Sequence, residues 1–293
     1  MNTFESLLTS RTFLLADGAM GTMLMAAGLE HGEAPEGWNT SHPERVRAVH
    51  RSYIQAGSHI ILTNSFGGSR FRLGQYGLQD RVTELNRAAA ELVRAEASAA
   101  PRPIAVGGSM GPSGELFEPL GTLTFQAARD AFAEQAAALS EGGVDVLWIE
   151  TMSDLQEVRA AVEGARAVCD LPLVTTMTFD THGHTMMGVS PVQALEALRE
   201  LGPVALGGNC GNGPAEIEGV IKAMHAADPT VTLVAKSNAG LPKYVDDVLT
   251  YSGTPEVMAR HALHVHSLGA KIIGACCGST PEHVRAMSEA LKT

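Results

Sequence analysis

The sequence has few of the features that mark secreted or nucleic-acid-binding proteins. Only four of its 293 residues are cysteine, too few for a disulfide scaffold in a chain of this size. Aromatic residues make up 5%, which argues against platforms for stacked bases. The 21 basic side chains are outnumbered by 32 acidic ones, and the resulting net charge of −11 repels phosphate backbones. Nucleic acid is therefore not expected as a partner.

Long apolar segments and two common catalytic motifs are also absent from the sequence. No run reaches the roughly 18 apolar residues of a membrane helix. Glu5 stands where a signal peptide carries positive charge. The glycine-rich segment 107–115 lacks the ending of a P-loop, and there is no G-x-S-x-G elbow. We expect a cytoplasmic protein with reduced thiols and no membrane partner.

Short apolar runs, bounded by glycine, proline or polar residues, alternate with longer amphipathic segments along the chain. Runs of this length and composition are typical of buried parallel strands. The predicted strands are 12–16, 58–63, 103–107, 144–149, 172–178, 203–207, 230–235 and 270–274. The predicted helices are 43–56, 77–98, 124–142, 153–168, 190–201, 214–227, 254–268 and 280–291.

Strict alternation of strands and helices predicts parallel strands joined by crossover helices. Eight such units in a chain of 293 residues indicate a single α/β domain, a (β/α)8 TIM barrel spanning 1–293. A doubly wound open sheet is the alternative. Residues 24–42 form a longer connection after the first strand, which we expect to lie over the mouth of the barrel.

Three of the four cysteines follow predicted strands at the rim where barrel enzymes place their chemistry. Cys210 follows the sixth strand, and Cys276 and Cys277 follow the eighth, so their sulfurs could meet across the seventh. Three converging thiolates suit Zn²⁺ and leave its fourth position open, as in catalytic sites. Adjacent cysteines alternate faces in a regular strand, so both can bind one metal only if the chain turns, which Gly278 permits.

Other interpretations of these residues remain open on spacing alone. Buried cysteine is often a small hydrophobic residue, and the adjacent pair could form a redox disulfide. Cys169, at the end of a helix, is interpreted as structural. A competing metal site could use histidine, although these side chains are better interpreted as solvated surface: His182, His184, His261, His264 and His266.

The rim motifs together resemble the homocysteine S-methyltransferase family, and the segment NSFGGSRFRLGQYGL resembles the barrel of cobalamin-dependent methionine synthase most. The likeness runs from about residue 11 to 290. The matching segments are DGAMGTML at 17–24, HRSYIQAGSHIILTNSFGGSR at 50–70, GPSGEL at 111–116, IETMSDLQEVRAAVEGAR at 149–166, GGNCG at 207–211, SNAG at 237–240 and GACCGSTPEHV at 274–284.

The resemblance implies a zinc ion held by the three rim cysteines, with the thiol of homocysteine at the open position. It also implies that Asp17 and Glu150 hold the substrate's ammonium group. The substrate carboxylate would meet backbone N–H groups in the segment Gly18, Ala19, Met20 and Gly21. The simpler alternatives are that Asp17 caps a turn and that Glu150 is a paired barrel carboxylate.

The methyl donor is less determined by the sequence. Trp38 resembles an aromatic residue of the cage that binds betaine in related enzymes, but Gly67 and Thr151 stand where that cage has tyrosines. The resemblance therefore favours methylcobalamin on a separate corrinoid protein over betaine or S-methylmethionine. Asn238, in SNAG, is a candidate substrate-binding residue or fourth zinc ligand. Two further hypotheses are a homocysteine-binding module that is inactive without partner subunits and a His/Asp metal hydrolase.

Overall fold

A computed structural model describes residues 1–245 and 248–292. In these residues eight parallel strands form one sheet, in the order β1-β10-β7-β6-β5-β4-β3-β2. A parallel bridge between Ala16 and Ile60 joins the two ends, so the TIM barrel is confirmed and the open sheet is excluded. The barrel strands are β1 (Leu14–Leu15), β2 (Ile60–Leu62), β3 (Ala105–Met110), β4 (Val146–Met152), β5 (Leu173–Met177), β6 (Ala205–Cys210), β7 (Leu233–Ser237) and β10 (Ala270–Ala275).

The predicted crossover helices are all present, and most begin and end within two residues of the predicted bounds. The exception is 77–98, whose helix starts later, at Val82. In the described ranges no helix is long and apolar enough to cross a membrane. The helices are α1 (Thr3–Ser10), α2 (Met20–Ala26), α3 (Trp38–Ser41), α4 (Pro43–Ala56), α5 (Arg70–Gly74), α6 (Val82–Ala99), α7 (Phe125–Glu141), α8 (Leu155–Arg166), α9 (Pro191–Glu200), α10 (Pro214–Ala227), α11 (Pro255–Ser267) and α12 (Pro281–Ala290).

Several short elements were not predicted, including α1, α2, α3, α5 and the two strands of a hairpin. Helix α1 lies at the bottom of the barrel, where its buried Phe4 and Leu7 pack against the apolar interior. An antiparallel hairpin of β8 (Pro242–Val245) and β9 (Val248–Tyr251) follows β7. The long connection 24–42 is also more ordered than a simple loop, because it contains the end of α2, a 3-10 turn and α3.

Apolar side chains fill the barrel interior, so the fold is a packed core and not a pore. Strand residues two apart share a face, and the cluster of side chains that fills this interior includes Val146 and Trp148 of β4. Trp148 is the largest fully buried side chain. The polar residues of the rim therefore lie above an apolar floor.

The seam between β1 and β2 uses a side chain where backbone pairing stops. The His59 amide donates to Leu15 O at 2.6 Å, and the Leu15 amide donates to His59 Nδ1 at 2.9 Å. Further along the seam β1 has ended, and the side chain of Asp17 takes over the pairing: its Oδ2 accepts the Leu62 amide at 2.8 Å. A carboxylate thus takes the place of a strand carbonyl and helps to close the barrel.

The close approach of β6 to β7 leads to a stability prediction. A Cβ added at Gly207 would lie 2.0 Å from Val234 O, a backbone atom that cannot move aside cheaply. We expect Gly207→Ala to lower the free energy of unfolding by roughly 1–3 kcal/mol or more. The control is Gly219→Ala on α10, where nothing lies within 4 Å; it should raise stability by up to about 1 kcal/mol. Urea denaturation measures the free energy of unfolding of both variants. Equal changes in the two variants would contradict this prediction.

Candidate active site

A cavity of about 310 Å³ opens at the C-terminal ends of the barrel strands. Its walls come from residues that follow or end most of the strands, as the barrel architecture predicts. The three rim cysteines line one part of the cavity, and charged side chains line another. The charged residues of the lining are Asp17, Glu36, Glu150 and Lys236.

The structure brings the three rim cysteines together. Their sulfur atoms all lie within 4.8 Å of one another, and Cys210 Sγ is 2.9 Å from Cys276 Sγ. β7 lies between β6 and β10 in the sheet, so the sulfurs meet across one strand as expected. Within residues 1–245 and 248–292, no other group of three or more His, Cys, Asp or Glu side chains could hold a metal in this way.

The chain turns directly after β10, and this turn lets adjacent cysteines face one point. Cys276 O accepts hydrogen bonds from the Ser279 amide at 3.2 Å and the Ser279 hydroxyl at 2.7 Å. Gly278 has a φ of +77°, a left-handed conformation that favours glycine. A Cβ at Gly278 would lie 2.1 Å from the ring of Tyr251, so glycine is also required by packing.

Cys210 ends β6 in an uncommon conformation that a side-chain network supports. Cys210 and Thr151 have φ values of +60° and +61°, which are rare for residues other than glycine. Asn209 Oδ1 accepts the Thr151 amide at 2.8 Å and the Thr176 hydroxyl at 2.7 Å. Asn209 Nδ2 donates to Thr151 Oγ1 at 2.7 Å. The network fixes the ends of β4, β5 and β6 and so aims the Cys210 sulfur into the cavity.

The chemistry of this donor set fits a zinc ion. The three side chains offer sulfur atoms only, and Zn²⁺ is commonly bound by cysteine thiolates. Hydrogen bonds from the Cys210 and Cys276 thiols lower the pKa of Cys277, while the same contacts and burial raise the pKa of Cys210.

The other part of the cavity holds two carboxylates and an ammonium group. Lys236 Nζ lies 3.2 Å from Asp17 Oδ1, and both side chains are almost fully buried. Glu150 Oε1 accepts the hydroxyl of Ser109 at 2.6 Å. This acidic end brings Asp17 and Glu150 together, the two residues that the family resemblance implies for recognition of an ammonium group.

Burial changes the ionisation of these three groups. It raises the pKa of Glu150 to about 7, although the charge of Lys236 opposes the shift. Burial raises the pKa of Asp17 as well, against the Lys236 charge and the Leu62 hydrogen bond. Burial alone would lower the pKa of Lys236, but the charges of Asp17 and Glu150 more than offset this and raise it. Lys236 is therefore the permanent cation of the site.

The segment between β1 and α2 is held in place by residues outside it. The Tyr53 hydroxyl donates to Ala19 O at 2.9 Å, and the Ala19 amide donates to Ser279 Oγ at 3.0 Å. A Cβ at Gly18 would lie 2.5 Å from Ser279 Oγ, so this position requires glycine. Helix α2 then begins at Met20 without a side-chain cap, and its first N–H groups lie along the cavity wall.

Two predicted binding residues lie away from the cavity wall in the described part of the chain. Trp38 is buried, with its ring 4.5 Å from that of His42 and 5.1 Å from the Arg45 guanidinium. Asn238 Nδ2 donates to Gly211 O at 2.7 Å, while its buried Oδ1 has no hydrogen-bond partner in the described residues. Their roles as substrate or metal ligands stay predictions.

Several functional candidates escaped the sequence analysis. Lys236 is the main one, and its signal was a charged residue two positions after Val234 in an otherwise apolar strand. The buried Glu36, which accepts the Gly67 amide at 2.7 Å, also lines the cavity. The prediction of a solvated surface was wrong for His261, which is 2% exposed and lies 2.8 Å from Glu218.

The comparisons with known proteins agree with this site. The family model described as homocysteine S-methyltransferase matches residues 14–291. The metallated form of the Escherichia coli homocysteine methyltransferase MmuM has the same fold, with a TM-score of 0.83, 24% identity and coverage of 98% of this chain and 99% of that one. Its apo form gives a TM-score of 0.77 at 25% identity, covering 99% and 100%.

Fold and site thus define an α/β-barrel enzyme with a cluster of three thiols that could hold a metal. Methionine synthase of Mycobacterium tuberculosis is 33% identical over 96% of this chain and 25% of its own length. That of Mycobacterium leprae is 32% identical over 95% and 24%. The chain belongs to the homocysteine S-methyltransferase family, which its sequence motifs resemble. It spans about a quarter of the length of these curated relatives.

Metal content tests the role of the thiol cluster. We expect Cys210→Ser and Cys277→Ser to weaken zinc binding by more than about 100-fold, because each would remove a direct ligand, whereas loss of a residue that only supports a ligand costs about 10–100-fold. Cys169→Ser is the matched control, since this cysteine lies beyond the end of α8 and is bonded to Ala165 O at 3.6 Å. Zinc is measured by mass spectrometry after dialysis against a competing chelator. Full zinc content in the first two variants would exclude the site.

Proposed function

We propose that this chain transfers a methyl group to the sulfur of homocysteine and forms methionine, with zinc held by Cys210, Cys276 and Cys277. The observation that carries this proposal is the pairing of two features in one cavity. Three thiols lie within 4.8 Å of one another, and the carboxylates of Asp17 and Glu150 line the same space. An amino acid with a terminal thiol is the substrate class that uses both features.

The ligand set supports a nucleophilic sulfur. When bound, zinc would lower the pKa of a coordinated thiol and keep the substrate sulfur as thiolate, the reactive form. The three cysteines bring negative charge of their own, so a fourth sulfur beside them keeps much of its electron density. Carboxylate or imidazole ligands would supply less charge and make that sulfur a weaker nucleophile.

The remaining residues hold and orient the substrate. The acidic end of the cavity accepts the ammonium group, and the free N–H groups of Met20 and Gly21 at the start of α2 face the carboxylate. Tyr53 and Ser279 keep that segment in position. The thiol loses its proton on binding; its sulfur lone pair then forms the bond to the methyl carbon as the donor's bond to that carbon breaks.

We propose methylcobalamin, carried by a separate corrinoid protein, as the methyl donor. The curated relatives are named methionine synthase. A quaternary ammonium needs several aromatic faces, and among the described residues the cavity offers only Phe66 and Tyr251. Gly67 and Thr151 lack such faces, and Trp38 packs elsewhere. These observations favour the corrinoid over betaine or another onium compound.

A panel of methyl donors tests the proposal. The zinc-loaded protein is incubated with homocysteine and, separately, methylcobalamin, betaine and S-methylmethionine, and methionine is quantified. We expect methionine with methylcobalamin only. Turnover with betaine or S-methylmethionine would contradict the proposed donor. Binding of homocysteine without turnover on any free donor would indicate a binding module that needs a partner subunit.

Proton release provides a second test that needs no donor. Because homocysteine binds as a thiolate in this proposal, binding should release about one proton near neutral pH. Calorimetry in buffers of different ionisation enthalpy measures this number directly. The observed enthalpy should change with the buffer for the zinc-loaded protein and not for Cys277→Ser. An enthalpy independent of buffer in the zinc-loaded parent would count against a thiolate.

A further inference from the structure

Lys236 is a cation inside the barrel, where a charge requires a partner. It lies on β7, two residues after Val234, so its side chain extends on the face that carries the apolar interior. It is 2% exposed, and Nζ lies 5.7 Å from the centre of the Trp148 ring. The ammonium group therefore sits just above the apolar floor of the cavity.

The partner of Lys236 is Asp17, and the protein itself occupies both carboxylate oxygens of Asp17. Oδ1 lies 3.2 Å from Lys236 Nζ. Oδ2 accepts the Leu62 amide at 2.8 Å, at the seam between β1 and β2. Asp17 is 3% exposed, so it enters the site already paired. An incoming ammonium group would have to share these oxygens with donors that already hold them.

Glu150 differs from Asp17 in this respect. One of its oxygens accepts the Ser109 hydroxyl at 2.6 Å. Within the described residues no hydrogen bond reaches the other oxygen, and the side chain lines the cavity. When both carboxylates are ionised, they and the one internal ammonium group leave a single negative charge at this end, which matches the single ammonium group of an amino acid.

We infer that Lys236 is a positioning residue that reserves Asp17 for itself and leaves Glu150 as the direct partner of the substrate's ammonium group. This inference rests on the proposed function and refines it. Asp17 and Lys236 then act as one neutral unit that closes the barrel seam and sets the charge of the site. Selectivity for a thiol that carries an amino group depends on Glu150.

The inference predicts a specific pattern among four variants. The readout is the ratio of calorimetric dissociation constants for 4-mercaptobutanoate, which lacks the amino group, and L-homocysteine on the zinc-loaded protein. Glu150→Gln should lower this preference for homocysteine by roughly tenfold or more, because a charge-assisted contact is lost. Asp17→Asn should lower it similarly, because the unpaired Lys236 then competes for Glu150. Lys236→Met should keep or raise it, because Asp17 Oδ1 becomes free.

The double variant, Asp17→Asn with Lys236→Met, decides the question. It removes both members of the internal pair and leaves Glu150 in place, so its preference should return to within about threefold of the parent. A double variant as impaired as Asp17→Asn would show that Asp17 contacts the ammonium group directly, and would overturn the inference while leaving the proposed function intact. A parent that does not prefer homocysteine would overturn the proposed function, and this inference with it.

Thermal melting and zinc content of each variant separate recognition from folding. If Asp17→Asn alone does not fold, the double variant and Glu150→Gln still give opposite results under this inference. Lys236→Arg keeps the charge and should keep the parent preference. A preference lost in Lys236→Arg, with normal melting and zinc content, would also overturn the inference.

Discussion

The site depends on one constraint, the order of strands around the barrel. Because β7 alone separates β6 from β10, residues at the ends of those two strands can meet above it. The sulfurs of Cys210 and Cys276 do so at 2.9 Å, and the turn at Gly278 adds Cys277. Cys276 and Cys277 are neighbours in the chain, but Cys210 is not. A closed sheet brings together residues that are 66 positions apart in the chain.

The same closure determines the charge distribution of the cavity. Asp17 stands where β1 has ended and β2 still needs a hydrogen-bond acceptor, so its carboxylate is part of the barrel as well as of the site. Lys236, on β7 two strands away from β1, compensates this buried charge at 3.2 Å. Asp17 therefore contributes both to barrel closure and to the charge of the cavity, and a change in Asp17 or Lys236 affects both of these properties.

The sequence alone predicted the barrel and the thiol cluster because both follow from simple periodicities. Alternation of strands and helices is visible in the apolar pattern, and cysteines at two strand ends are easy to find. The role of Lys236 could not be predicted, because its partner Asp17 is 219 residues away and pairing follows from closure of the sheet. Helix α1 was missed because its apolar face is short, and the burial of Trp38 could not be predicted because a motif does not show burial.

The contact between Tyr251 and Gly278 links two parts of the molecule that the chain keeps apart. Tyr251 ends the hairpin that follows β7, and its ring rests directly on the backbone beside Cys277. With no side chain on Gly278, the ring can lie directly against the backbone of the turn that carries Cys277. Tyr251 and Cys277 both line the cavity, so this single contact joins the hairpin to the part of the wall that holds the thiols.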